Sequence, residues 1–256
     1  MDFSDPNQRR IFFEVHEGFP RQSAGSHAST LKALGLVVGS LPDAPLIADM
    51  ACGPGSSVLP LARALPDARI IAVDLHQPFL DELEHRIGGS DVNGRVSARC
   101  SDMMVPLAEA GAVDMVWCEG GIYNVGVKAG LEGWRSALKP NGLVVFNEPI
   151  WLVSENERAA KLRAFWRGYP AMTDGEGVEQ AIADAGYQLL GWFDHPEEDW
   201  WNEYYTPMEA RLSELKQKYA GVSAAAGPIE HSQLEIDMRR TYAASYNYRF
   251  FAAKLI

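Results

Sequence analysis

The sequence predicts an open α/β sheet, doubly wound and mostly parallel, with helices on both faces and an antiparallel strand closing it. Two observations carry that prediction. Short, continuous apolar runs recur from residue 46 onward, most of them separated by amphipathic helical patterns, and the alternating run near the end follows a long helical tract. With right-handed crossovers such a sheet places its ligand site at the carboxyl ends of its strands.

Asn7–His16 and Ser26–Ser40 read as helices, the second with Ser26 as N-cap, joined by residues 18–25. Leu46–Met50 is a short buried strand, Ala51–Gly55 a tight turn, and the following helix reaches about Leu65. Arg69–Asp74 is the second strand and ends in a carboxylate. A helix over Pro78–Ile87, strands over Arg95–Cys100 and Val113–Cys118, and a helix over Ala129–Leu138 come next. The turn Lys139–Gly142 then leads into a fifth strand, Gly142–Asn147. Glu155–Arg167 and Gly177–Ala185 read as helices, Tyr187–Phe193 as a strand, residues 194–244 as two helical stretches, and Tyr246–Leu255 as the closing strand. The chain thus divides as one domain: an amino-terminal helical lid (1–44), a core (45–193), a helical cap (194–244) and the closing strand (245–256).

Composition narrows the class. With 256 residues, 47% apolar and 22% charged, the chain is neither disordered nor collagen-like. A formal charge of −11 and scattered basic residues exclude a nucleic-acid or anionic-membrane surface. No apolar run approaches the roughly 18 residues of a membrane span. The stretch Met1-Asp2-Phe3-Ser4-Asp5-Pro6 is acidic where a secretory signal is basic, which points to the cytoplasm. Three widely spaced cysteines fit reduced thiols, and no pair of histidines has metal spacing. A homodimer is compatible with all of this.

The chemistry concentrates in three places. Asp49-Met50-Ala51-Cys52-Gly53-Pro54-Gly55 puts glycines just after a strand, where backbone approaches a ligand closely and a helix start offers free amides. Asp74, about 20 residues further on, is placed to accept from both hydroxyls of a ribose. Ser101-Asp102-Met103 supplies a carboxylate for an exocyclic adenine amine and a thioether for the ring face. Val58 stands where a dinucleotide fingerprint has its third glycine, which disfavours a nicotinamide-dependent oxidoreductase.

With these motifs in order, the chain resembles the class I S-adenosylmethionine-dependent methyltransferases. Asp49 to Gly55 is similar to the family's glycine-rich first motif, Asp74 to its ribose acid, Ser101-Asp102 to its adenine pair, and Leu138 to Leu143 to its turn before strand five. Ala51 departs from the pattern, standing where the family often has a glycine. Arg21-Gln22-Ser23-Ala24-Gly25-Ser26 and Trp117-Cys118-Glu119-Gly120-Gly121-Ile122-Tyr123-Asn124-Val125-Gly126 resemble a bacterial subgroup acting on small molecules. The resemblance implies a Rossmann-like sheet, S-adenosyl-L-methionine as cofactor, a small-molecule methyl acceptor and S-adenosylhomocysteine as product. It implies that Arg21, Asp49, Ala51, Gly53, Gly55, Asp74, Leu75, Ser101, Asp102, Met103 and Glu119 hold the cofactor, Arg21 through the methionine carboxylate.

For the transfer, Glu119, Tyr123 and Glu148 are candidates to orient the acceptor or remove its proton, with His195 ranked below them. Trp151, Trp192-Phe193, Trp200-Trp201 and Tyr204-Tyr205 offer walls for a pocket, although core packing accounts for most such rings. Glu197, Glu198, Asp199 and Glu203 beside them read as solvated. Together they favour an amine or neutral acceptor over a phosphorylated one. The alternative is a non-catalytic module that keeps the adenosyl pocket for sensing.

Overall fold

The computed structural model describes residues 4–108 and 111–256. Met1, Asp2 and Phe3 of the acidic amino-terminal stretch lie outside the described residues. Helix α1 (Pro6–His16) starts where the Asp5 carboxylate accepts from the amides of Asn7 and Gln8, with Pro6 fixing the first turn. Helix α2 (His27–Gly35) is capped by Ser26, whose hydroxyl accepts from the Ser29 amide as the sequence predicts. It stops short of the expected Ser40: the Leu36 amide bonds back to Ala33, and a separate 3₁₀ turn covers Val38–Ser40.

The sheet has seven strands: β1 (Leu46–Met50), β2 (Arg69–Asp74), β3 (Val96–Cys100), β4 (Val113–Cys118), β5 (Leu138–Trp151), β6 (Tyr187–Asp194) and β7 (Tyr246–Leu255). Their spatial order is β3-β2-β1-β4-β5-β7-β6. All neighbours run parallel except β7, which is antiparallel to both β5 and β6. The expected architecture is therefore the observed one. Strand β5 is longer than expected because its far half pairs with β7 out to Trp151 opposite Tyr246. The turn at Lys139–Gly142 is a bulge within β5, where pairing jumps from Val113–Leu138 to Met115–Leu143 and Asn141 takes φ 63°.

Helices α3 (Val58–Ala64) and α4 (Gln77–Gly88) pack with α2 on one face, around Ile47, Leu61, Leu83 and Val145. Helices α5 (Val127–Trp134), α6 (Ala160–Phe165) and α7 (Gly175–Asp184) follow in sequence, and α5 and α7 cover the other face over Val116, Phe146, Leu131 and Ile182. The expected helix over Glu155–Arg167 is broken. Ser154 and Glu157 form a capping box on one 3₁₀ turn, and a second follows α6 at Trp166–Gly168.

Between β6 and β7 lie α8 (Glu197–Trp200), a π-helical turn at Trp201–Tyr205, α9 (Thr206–Lys218) and α10 (Ser223–Tyr242). With α1 they form a third apolar cluster around Ile11, Val15, Tyr204, Met208 and Ile236. Among the described residues no helix is long and apolar enough to cross a membrane. The chain order reverses direction across the sheet between β1 and β4, so the segments leaving those two strands flank the crevice where such folds bind ligands.

Candidate active site

A cavity of about 730 Å³ opens at this crevice, and residues from both sides of it line the walls. At one end the chain leaves β1 through Ala51 (φ 61°), Gly53 (φ 53°) and Gly55 (φ 89°). A left-handed alanine costs about 1–2 kcal/mol. Gly121 makes it sterically feasible: a Cβ there would lie 2.6 Å from that of Ala51 and 2.9 Å from Cys118 Sγ. The glycine missing at 51 is thus answered by one across the crevice.

The Asp74 carboxylate is clamped, Oδ2 accepting from the Gly53 amide and Oδ1 from the His76 amide, both at 2.8 Å. Each oxygen keeps a lone pair for a further donor. The Ser101 amide donates to the Asp74 carbonyl at 3.0 Å, Asp102 accepts from the Met104 amide at 2.8 Å, and the Trp134 indole holds the Met103 carbonyl at 2.9 Å. Ala51, Gly53, Asp74, Leu75, Ser101, Asp102, Met103 and Glu119 all line the cavity, and Leu75 is 71% exposed.

Asp49, Gly55, Arg21 and Glu148 do not line it. Asp49 sits beneath the glycine turn, accepting from the Ser57 hydroxyl at 2.5 Å. Burial, then the charges of Glu119 and Asp74, push its carboxyl well up. Gly55 packs on α4, where a Cβ would fall 2.4 Å from Leu83 Cδ1. Gly55→Ala is expected to lose about 2 kcal/mol or more of stability from the clash and the positive φ, read as a lower midpoint in urea.

Glu119 is a hub. Its Oε1 accepts from Thr30 Oγ1 at 2.8 Å and Trp117 Nε1 at 2.9 Å, and its Oε2 from Arg21 Nη1 at 3.3 Å. The paired side chains are only 2% and 3% exposed, and Arg21 Nε also donates to Glu203 at 2.9 Å. The guanidinium expected at the methionine carboxylate is thus engaged by two carboxylates behind the cavity wall.

The Gly120 amide donates to Asn147 Oδ1 at 2.6 Å, which turns the Asn147 Nδ2 group toward His195 Nε2 at 3.2 Å. That makes Nε2 the acceptor and leaves the proton on Nδ1, 2.9 Å from Asp199 Oδ2. The Asp199 carbonyl in turn accepts from the Gly25 amide at 2.9 Å. His195 is buried, stacked on Phe250 and outside the cavity, so it does not face a ligand bound there. Asn147→Leu is expected to cost about 1–3 kcal/mol, because it strands the Gly120 amide and the His195 nitrogen; equal urea midpoints for variant and parent would refute this.

The far end of the cavity is aromatic. Because β7 runs antiparallel, its first residues lie at the carboxyl end of β5, and Tyr246 and Tyr248 join the walls. Phe12 and His16 of α1, Tyr123 after β4, Phe165 and Trp166, Trp200, Tyr204, Tyr205, and His231 and Glu235 of α10 complete them. The π-helical turn presents both Tyr204 and Tyr205 to the cavity, and their hydroxyls donate to Glu235 Oε1 at 3.2 and 3.1 Å. Burial raises the Glu235 carboxyl, pushes the Tyr123 phenol up to about 12, and lowers His16 to about 4.

Of the rings singled out in sequence, Trp200, Tyr204 and Tyr205 reach the cavity; Trp151, Trp192, Phe193 and Trp201 do not. Trp151 donates to the Met172 carbonyl, Trp192 lies under Arg249, Phe193 stacks on Phe250, and Trp201 donates to Glu197. The neighbouring acids are not simply solvated: Asp199 is buried, and Glu197 and Glu203 pair with Arg239 and Arg21. The sequence reading missed Phe12, His16, His231, Glu235, Tyr246 and Tyr248. Their signal was present as spacing: each helical pair is four apart and the strand pair two apart, hence on one face.

Glu148 points to the sheet face that also holds Phe146 and Ile150, where it accepts from the Tyr169 hydroxyl at 2.5 Å. Its Oε2 is buried without a donor among the described residues. Burial raises its carboxyl to about 8 from 4.5. Between those values the folded state holds a proton that the unfolded chain releases, so stability falls as pH rises through this window. Glu148→Gln is expected to flatten that slope in pH-dependent denaturation; an unaltered profile would show that Glu148 is not its source.

A cradle of two left-handed residues, Ala51 and Gly53, a clamped carboxylate with free lone pairs and an orphaned buried acceptor, Gln22 Oε1 in the cavity wall, fit the ribose hydroxyls and the ammonium of an adenosyl amino acid. The fold is that of a Rossmann-like core with its cavity at the carboxyl ends of the parallel strands. Residues 47–142 match the family model of the methyltransferase domain. That segment runs from β1 into β5 and contains the glycine turn, Asp74 and Asp102.

The fold is similar to that of an S-adenosylmethionine-dependent methyltransferase from Thiobacillus denitrificans in complex with S-adenosylhomocysteine (TM-score 0.80, 16% identity, 96% of this chain and 98% of that one). An S-adenosylmethionine-dependent methyltransferase from Geobacter sulfurreducens, also with S-adenosylhomocysteine, gives a TM-score of 0.76 at 17% identity, over 95% of this chain and 97% of that one. A phosphoethanolamine N-methyltransferase from Haemonchus contortus, bound to phosphomonomethylethanolamine and S-adenosylhomocysteine, gives 0.70 at 17% identity, over 98% of this chain and 57% of that one. No curated protein matches the chain by sequence.

Proposed function

We propose that the chain methylates a small molecule held in the aromatic end of the cavity. The observation that carries this reading is continuity: one cavity is lined both by the glycine turn with Asp74 and Asp102 and by the rings of Tyr123, Tyr204, Tyr205 and Tyr248. S-adenosylmethionine supplies a methyl group already activated on a sulfonium.

The protein's part is to bind, align and exclude water. Asp74 takes the ribose hydroxyls, Asp102 the adenine amine, Met103 and Leu75 the ring faces, and Ala51 and Gly53 bring backbone close to the amino-acid tail. Gln22 Oε1 takes the ammonium of that tail. Glu119 lines the same wall, its geometry set by Thr30, Trp117 and Arg21. Tyr123 keeps its phenolic proton at neutral pH and orients the acceptor as a donor. Residues 4–44 and the helices between β6 and β7 serve as lid and cap over that chamber.

The test is formation of S-adenosylhomocysteine from S-adenosylmethionine across a metabolite panel, followed by mass spectrometry of the acceptor. Binding without transfer to any acceptor would favour the sensing alternative.

A further inference from the structure

We infer that the aromatic end of the cavity is a cation site built on Glu235, and that it selects an organic amine carrying no carboxylate or phosphate. This deepens the methyl-transfer reading and rests on it. Glu235 reaches the cavity from α10, and only its Oε1 is engaged, by the hydroxyls of Tyr204 and Tyr205. Its Oε2 has no hydrogen-bond donor among the described residues, so one carboxylate oxygen remains for a ligand.

The rings around it add negative faces that attract a cation. Trp200 and Tyr246 already carry Arg239, at 4.1 and 5.6 Å from their centroids, and Tyr205 stacks on Trp200, which leaves Tyr123, Trp166, Tyr204 and Tyr248 for the ligand.

Among the described residues at this end the donors to an anion are neutral, such as the buried and unpartnered Trp166 indole N–H, and none is a Lys or Arg. Among the described residues that line the cavity, Arg9 is the single Arg or Lys, and it lies over Phe13, which stacks on His76 beside Asp74, at the ribose end. Burial lowers His16 to about 4, which leaves its imidazole neutral at neutral pH, and burial lowers His231 as well. A carboxylate or phosphate would be desolvated beside Glu235 without a countercharge. The phosphate-bearing ligand of the Haemonchus enzyme is therefore the wrong kind of acceptor for this chamber.

The test uses choline as an inert cationic probe, titrated into the full chain by calorimetry with and without S-adenosylhomocysteine. Its uncharged isostere 3,3-dimethylbutan-1-ol, and betaine and phosphocholine, which add an anionic group, are titrated alongside. Choline is expected to bind about tenfold or more tighter than each of the three. Glu235→Gln is expected to remove the preference for choline over its isostere while keeping the affinity for S-adenosylhomocysteine. Equal affinities of choline and isostere, tighter binding of phosphocholine or betaine, or no binding of choline would overturn the inference. The isostere comparison uses the unaltered chain, so it decides even if the variant does not fold. Loss of S-adenosylhomocysteine binding in the unaltered chain would instead overturn the methyl-transfer reading.

Discussion

Asp74→Ala is expected to weaken S-adenosylmethionine binding by about a hundredfold. The carboxylate is fixed by the Gly53 and His76 amides, and in the proposed function its remaining lone pairs take the two ribose hydroxyls. Charge-assisted hydrogen bonds of this kind contribute about 1.5–3 kcal/mol each, and a hundredfold corresponds to about 2.7 kcal/mol. The substitution also releases the Gly53 amide, while the Cys52 amide still holds the glycine turn to the Val73 carbonyl of β2. Asp74→Asn keeps one good acceptor and is expected to lie between the two. Calorimetry with S-adenosylhomocysteine reads the effect, and an Asp74→Ala affinity within threefold of the parent would remove Asp74 from the nucleoside site.

Arg21→Ala is expected to destabilise the fold by about 3–5 kcal/mol, the usual consequence of removing one partner from a buried ion pair. Glu119 would then be a carboxylate facing only the neutral donors Thr30 and Trp117. Adding Glu119→Gln is expected to recover part of that loss, and the double-mutant cycle in urea measures the coupling. A stable Arg21→Ala protein that had lost only its cofactor affinity would instead restore Arg21 to the methionine carboxylate. The two outcomes separate a residue that holds the wall from one that touches the ligand.

The sheet was legible because its strands are short apolar runs bounded by glycine, proline or charge, and β1, β2 and β4 begin and end where the sequence places them. The glycine-turn end of the cavity was legible for a related reason. Ala51 to Gly55, Asp74 and Ser101 to Met103 each directly follow or end a parallel strand, so local sequence fixes their position in space. The aromatic end is assembled from α1, α10, the π-helical turn and the start of β7, which only the tertiary fold brings together. Arg21 shows the same limit: a cation near the site was readable, but not its burial against Glu119 and Glu203.

Strand β7 fills the gap between β5 and β6, although some fifty residues separate it from β6 in the chain. During synthesis, β5 therefore presents a bare edge and β6 has no sheet to join until residues 246–255 emerge. The nascent chain at that stage is a five-stranded sheet with an open flank, a species prone to pairing with its neighbours. Losing this strand would not trim a margin; it would detach β6 and take two tyrosines from the cavity wall in one cut.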